Sequence, residues 1–74
     1  MSKQRAYNLI FKDYPDILTI EQLCDMLGGI SVKTGYRLLK SEKIKGFKIG
    51  KRYKIPKVNV LKYLELFDEN SEQE

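Results

Sequence analysis

The chain has no histidine, no tryptophan and a single cysteine among its 74 residues. Each absence removes a kind of chemistry. Without histidine, both the commonest general base near neutral pH and the commonest metal ligand are missing. With Cys24 as the only thiol, an intrachain disulfide and a cysteine-based zinc site are ruled out. No apolar run approaches the roughly 18 residues that span a membrane, and "YNLIF" is far too short for the apolar core of a signal peptide. A chain of this length makes one domain and buries only about 60% of its unfolded surface, which leaves little room for an enclosed active site. The expectation is a soluble, cytoplasmic protein that is not an enzyme and holds neither metal nor cofactor.

What the chain does have is positive charge in one place. The net charge is +4, but residues 31–57 carry ten bases against Glu42 alone. Residues 15–30 carry only acids (Asp16, Glu21, Asp25), and residues 58–74 carry Lys62 against five acids. A dense basic block between two acidic ones is the footprint of a phosphate-binding surface. A solvated lysine-rich face would give the same totals, so charge alone leaves both readings open.

Periodicity supplies the frame. Tyr7, Ile10, Phe11 and Tyr14 share one helical face, so residues 1–15 form either a short packed helix or an arm ended by Pro15. Thr19 followed by Gln22 is a capping box. It opens a helix with an apolar stripe of Ile20, Leu23, Cys24 and Leu27, which Gly28 and Gly29 close. Cys24 reads as a small core residue. Ser31 caps a second helix of about Val32 to Ser41. On a helical wheel, Thr34, Gly35, Leu38 and Leu39 share one side, and Lys33, Tyr36, Arg37 and Lys40 the other. Two short helices joined by a glycine turn, the second basic on its outer face, make a helix-turn-helix.

The period then changes to two. Phe47, Ile49, Tyr53 and Ile55 alternate with Lys48, Arg52 and Lys54, as in a half-buried hairpin. A three-residue loop, Gly50 to Arg52, would pair Ile49 with Tyr53 and Phe47 with Ile55 and keep the apolar residues on one face. It would also set Lys48 opposite Lys54, an unfavourable pair that a polyanion would relieve. Pro56 ends the hairpin and starts a last helix, whose stripe is Val60, Tyr63, Leu64 and Phe67. The expected architecture is α+β and mainly helical: a small winged helix-turn-helix over residues 16–67, preceded by the 1–15 segment and followed by a frayed acidic tail over 68–74.

"LTIEQLCDMLGG", "SVKTGYRLLKSEKIKGFKIGKRYKIP" and "VLKYLE" together resemble the excisionase-family DNA-binding domain, a MerR-like winged helix-turn-helix. The marks are Leu18-Thr19, Leu27-Gly28, Ser31 and Thr34, Tyr36-Arg37 and the wing "KIGKRYKIP", and they cover residues 17 to 67. The chain departs from the pattern at the extra glycine of the turn, at Gly35, and at Val58-Asn59. The resemblance implies double-stranded DNA binding, with the second helix in the major groove and the wing on backbone or minor groove. Many such proteins belong to bacteriophages or other mobile elements. Some act as recombination directionality factors, which bind and bend attachment-site DNA and help an integrase to excise the element. Others are small transcriptional repressors.

Phosphate contacts give affinity and base contacts give specificity. On the recognition helix the candidates are Ser31, Val32, Lys33, Thr34, Tyr36, Arg37 and Lys40. Arg37 suits a bidentate contact to guanine, and the N–H groups around Val32 and Lys33 suit a phosphate. Ser31 and Thr34 are already explained by capping. On the wing the candidates are Lys48, Lys51, Arg52 and Lys54, with Lys51 or Arg52 placed to enter a narrow minor groove. Tyr53 reads as hairpin packing. The expected partners are double-stranded DNA, an integrase, and further copies of the chain on repeated sites, with no membrane. A tyrosine recombinase is excluded by the missing histidine. A repressor, or a basic protein-interaction module without DNA specificity, remains open at this stage.

Overall fold

The computed structural model describes residues 3–72, with side chains for residues 5–66. In chain order the elements are α1 (Lys3–Ile10), β1 (Ile17–Leu18), α2 (Ile20–Met26), α3 (Val32–Lys40), β2 (Phe47–Ile49), β3 (Arg52–Pro56) and α4 (Lys57–Glu72). The strands form an antiparallel sheet in the order β1-β3-β2. This is the expected α+β, mainly helical architecture, with the helix-turn-helix as α2 and α3 and the wing as β2 and β3. Among the described residues no helix is long and apolar enough to cross a membrane.

The core is small and draws on almost every element. Leu18 of β1, Leu23 of α2, Ile44 of the α3–β2 connection, Ile55 of β3 and Val60 of α4 are fully buried, with Met26, Leu39 and Leu61 beside them. β3 is the central strand: Leu18 pairs with Ile55 and Ile17 with Pro56, and Lys57 N donates to Asp16 O at 2.7 Å. The chain therefore passes from strand to helix at Pro56, where a proline needs no N–H partner.

Within the N-terminal segment, Lys3–Ile10 form a helix packed on α4, which resolves the earlier alternative. Tyr7, Phe11 and Tyr14 lean on the core in contact with one another, while Ile10 is 67% exposed and leaves the expected stripe. Lys57 Nζ donates to Phe11 O at 3.3 Å and Tyr14 O at 2.9 Å, tying down the turn that follows α1. One base of the basic block is thus used internally. The Tyr14 hydroxyl donates to the Asp25 carboxylate, and that bond raises the phenol above its usual pKa. At the other end, α4 runs on to Glu72, so the acidic stretch expected to fray is helical to that point. No glycine or proline after Pro56 interrupts it, although acids at a helix C-terminus oppose the dipole. The Phe67 side chain lies outside the described residues.

The hairpin corrects a register. Phe47 pairs with Lys54, Lys48 with Tyr53 and Ile49 with Arg52, so the loop is the two-residue Gly50-Lys51 rather than three residues. Gly50 has φ +65° and Lys51 does not share the positive φ, the pattern of a glycine-first type II′ turn, whose twist matches that of the flanking strands. The base of the wing gives the second reason. The observed pairing sets Gly46 against Ile55, where a Cβ would lie 3.1 Å from Leu39 Cδ2, 3.2 Å from Ile55 Cγ1 and 3.2 Å from Lys54 O. The expected register would have put Phe47 in that space. The slip turns Phe47 and Ile49 onto the outer face with Arg52 and Lys54, and brings Lys48 onto the face of Tyr53. Lys48 and Lys54 therefore lie on opposite faces, and their expected repulsion does not arise.

α3 ends in a Schellman motif: Lys43 N donates to Leu38 O at 3.1 Å and Glu42 N to Leu39 O at 3.1 Å. The left-handed position is held by Glu42 at φ 61°, where glycine is usual. Glu42→Gly is expected to raise stability by up to about 1 kcal/mol, read as a higher midpoint in thermal unfolding.

Candidate nucleic-acid interface

The helix-turn-helix is fixed by two local caps and one close contact. Thr19 and Gln22 form the capping box of α2, with bonds of 3.2 Å and 2.9 Å. Gly28 and Gly29 take φ +90° and +85°, which only glycine adopts in succession at low cost, so the extra glycine of the turn follows from its backbone. Ser31 then caps α3, its Oγ accepting from Thr34 N at 3.2 Å and lying 2.9 Å from Thr34 Oγ1. Gly35 is buried against α2. The Cys24 thiol lies beneath it, donates to Ser31 O at 3.5 Å, and is raised in pKa first by burial and then by the charge of Glu21.

With Gly35 turned inward, the opposite side of α3 faces solvent. Lys33, Tyr36, Arg37 and Lys40 line one shallow groove along it. Tyr36 and Lys40 also line a second groove with Lys48, Lys51 and Tyr53 of the wing. The Tyr36 and Tyr53 rings lie 5.7 Å apart and tilted, and Lys48 Nζ sits 5.1 Å above the Tyr53 ring. A cation over an aromatic face is attracted by the ring quadrupole. Tyr36 and Tyr53 thus join α3 to the wing in one surface. Beyond them Lys51, Arg52 and Lys54 border a cleft of about 280 Å³, shared with Thr19, Ile20 and Glu21 at the start of α2.

Eight of the candidate residues, Lys33, Tyr36, Arg37, Lys40, Lys48, Lys51, Arg52 and Lys54, lie along these adjoining grooves. Lys54 is half-buried on the outer face of the wing and reaches the surface at the cleft. Ser31 and Val32 are exposed at the start of α3. Thr34 is on the other side, in an apolar depression with Leu27, Ile30, Leu38, Tyr63 and Leu64, and is not brought to the basic surface. Sequence reasoning missed the bridging part of Tyr53, which depends on the hairpin register. It also passed over Lys43 and Lys45, exposed in the α3–β2 connection and visible only as part of the charge block. Asn59 Nδ2 donates to Lys45 O at 2.8 Å and pins that connection to α4.

A family model described as a helix-turn-helix domain matches residues 17–65, from β1 into α4. The chain belongs to that family. No curated protein and no solved structure matches it. This helix-turn-helix domain is a DNA-binding one, and α1 lies outside the matched part. The grooves joined at Tyr36 gather Lys33, Arg37, Lys40, Lys48 and Lys51 along the exposed side of α3 and the wing.

Proposed function

We propose that this protein is a sequence-specific double-stranded DNA-binding protein of a mobile element, a recombination directionality factor that binds and bends attachment-site DNA to assist an integrase. α3 lies in the major groove with Arg37 and Lys33 toward base edges, and the wing lies against the flanking backbone or minor groove. The observation that carries the DNA reading is the continuous basic surface from α3 through Tyr36 and Tyr53 to the wing. Support for the excision role comes from the resemblance of residues 17 to 67 to the excisionase family. A domain this small covers few base pairs, so cooperative binding to repeated sites, or binding as a dimer, goes with this reading.

The test is recovery of genomic fragments from the source DNA by the purified protein, followed by an excision assay with the neighbouring integrase. Fragments from an attachment site, and excision that rises when the protein is added, are the expected results. Recovery confined to promoter regions, with excision unchanged, would replace this role with that of a repressor. Failure to bind any duplex at low salt would remove the DNA reading altogether.

A further inference from the structure

The two-residue turn leaves an unusual face on the wing. Phe47 and Ile49 stand 46% and 62% exposed on β2, an edge strand. Their cross-strand partners on the same outer face are Lys54 and Arg52. Exposed apolar residues on an edge strand invite unwanted pairing, and protein edges are usually blunted by charge or twist. Here the charges come from the partner strand and the turn, and Ile49 stands among them, beside Gly50-Lys51 and opposite Arg52.

A surface that alternates cations and apolar side chains fits a DNA minor groove, which has phosphates along its rims and sugar edges within. Apolar side chains inserted there partly unstack a base step and kink the duplex. The charged half of this face adjoins the basic groove of α3: Arg52 and Lys54 border the cleft that Lys51 and Tyr36 also line, and Lys51 lines the groove with Tyr36 and Lys40 as well. A second copy of the chain docked through this face would bring Lys51, Arg52 and Lys54 against their own kind, whereas a polyanion meets complementary charge.

We infer that Ile49 is a DNA-contacting wedge: it enters the minor groove beside the segment read by α3, with Lys51 and Arg52 on the flanking phosphates, and deforms the base step it meets. This rests on the DNA-binding reading above and adds a non-electrostatic contact to it.

The test uses the full chain and a short mixed-sequence duplex carrying donor and acceptor dyes at its ends. Affinity, its salt dependence and end-to-end energy transfer are measured for the wild type, Ile49→Ser, Ile49→Leu and Arg52→Ala. Ile49→Ser is expected to weaken binding roughly tenfold and reduce bending, with the salt slope and thermal midpoint unchanged. Ile49→Leu keeps both properties. Arg52→Ala lowers the salt slope by about one unit, as loss of a phosphate contact does. The inference is overturned if Ile49→Ser binds and bends like the wild type, if the wild type binds without bending, or if the only loss is in self-association. A wild type that binds no duplex at low salt would remove the DNA reading itself, a separate outcome.

Discussion

Gly35→Ala is expected to lower the stability of the domain by about 1–2 kcal/mol, although alanine is the better helix former. Two effects oppose each other. In an exposed helix interior the exchange would stabilise by up to about 1 kcal/mol. Here a Cβ at position 35 would lie 2.8 Å from Cys24 Sγ and 3.0 Å from Ile20 Cδ1. The Ile20 methyl is the far end of a flexible side chain and can turn aside. Cys24 has one side-chain torsion, is 5% exposed, and already directs its sulfur at Ser31 O. α2 and α3 must therefore separate, and overpacking of this kind costs about 1–3 kcal/mol. In so small a domain each kcal/mol lowers the thermal midpoint by roughly 4–8 °C.

Cys24→Ala supplies the control. Alone it leaves a small void and destabilises. Combined with Gly35→Ala it removes the obstructing sulfur, so the double variant should be more stable than the sum of the single effects predicts, by about 1 kcal/mol. Thermal or denaturant unfolding of the four proteins reads this directly. A higher midpoint for Gly35→Ala alone would mean that the wall yields and helix propensity wins.

Gly35 also shows which parts of the molecule were readable from the amino-acid order. The wheel put it on the packed side of α3 with Leu39, and away from Lys33, Tyr36, Arg37 and Lys40, because helical geometry is set within a few residues. The caps at Thr19 and Ser31 were readable for the same reason: each bond joins residues three apart. Met26, Ile44 and Leu61 are buried but were not picked out by the periodic stripes, since what covers them comes from other elements. The hairpin register failed similarly. Alternation identified the strands, but β2 buries nothing, so its apolar residues carried no information about a buried face. The deciding contact is Gly46 against Leu39 and Ile55, residues from α3 and β3. The basic block pointed to the face that α3 and the wing expose together. Its continuity through Tyr36 and Tyr53 required the register, and with it the placement of Ile49.

Arg37→Ala is expected to cost the preferred duplex about 5- to 150-fold in affinity, the range of one good bidentate base contact, while folding is nearly unaffected. The separation of these effects follows from the position of Arg37. It is exposed, and Lys33 precedes it by four residues on the same face, a like-charge pair that weakens a helix. Alanine relieves that repulsion and favours the helix, but loses the interaction of a cation with the C-terminal turn of α3. The stability change should stay within about 0.5 kcal/mol, so weaker binding cannot be blamed on unfolding. Arg37→Lys separates charge from geometry: it keeps the phosphate attraction and salt slope but lacks the planar fork, so discrimination between the preferred and a mixed-sequence duplex should fall as in Arg37→Ala. Lys33→Ala should also narrow the gap between the two duplexes; weakening both alike with a salt slope lower by about one unit would instead assign Lys33 to phosphate. Titrations of both duplexes at several salt concentrations tell these patterns apart. Equal losses for Arg37→Ala on the two duplexes would assign Arg37 to the backbone and shift sequence reading toward Tyr36 and Lys40 along the same groove.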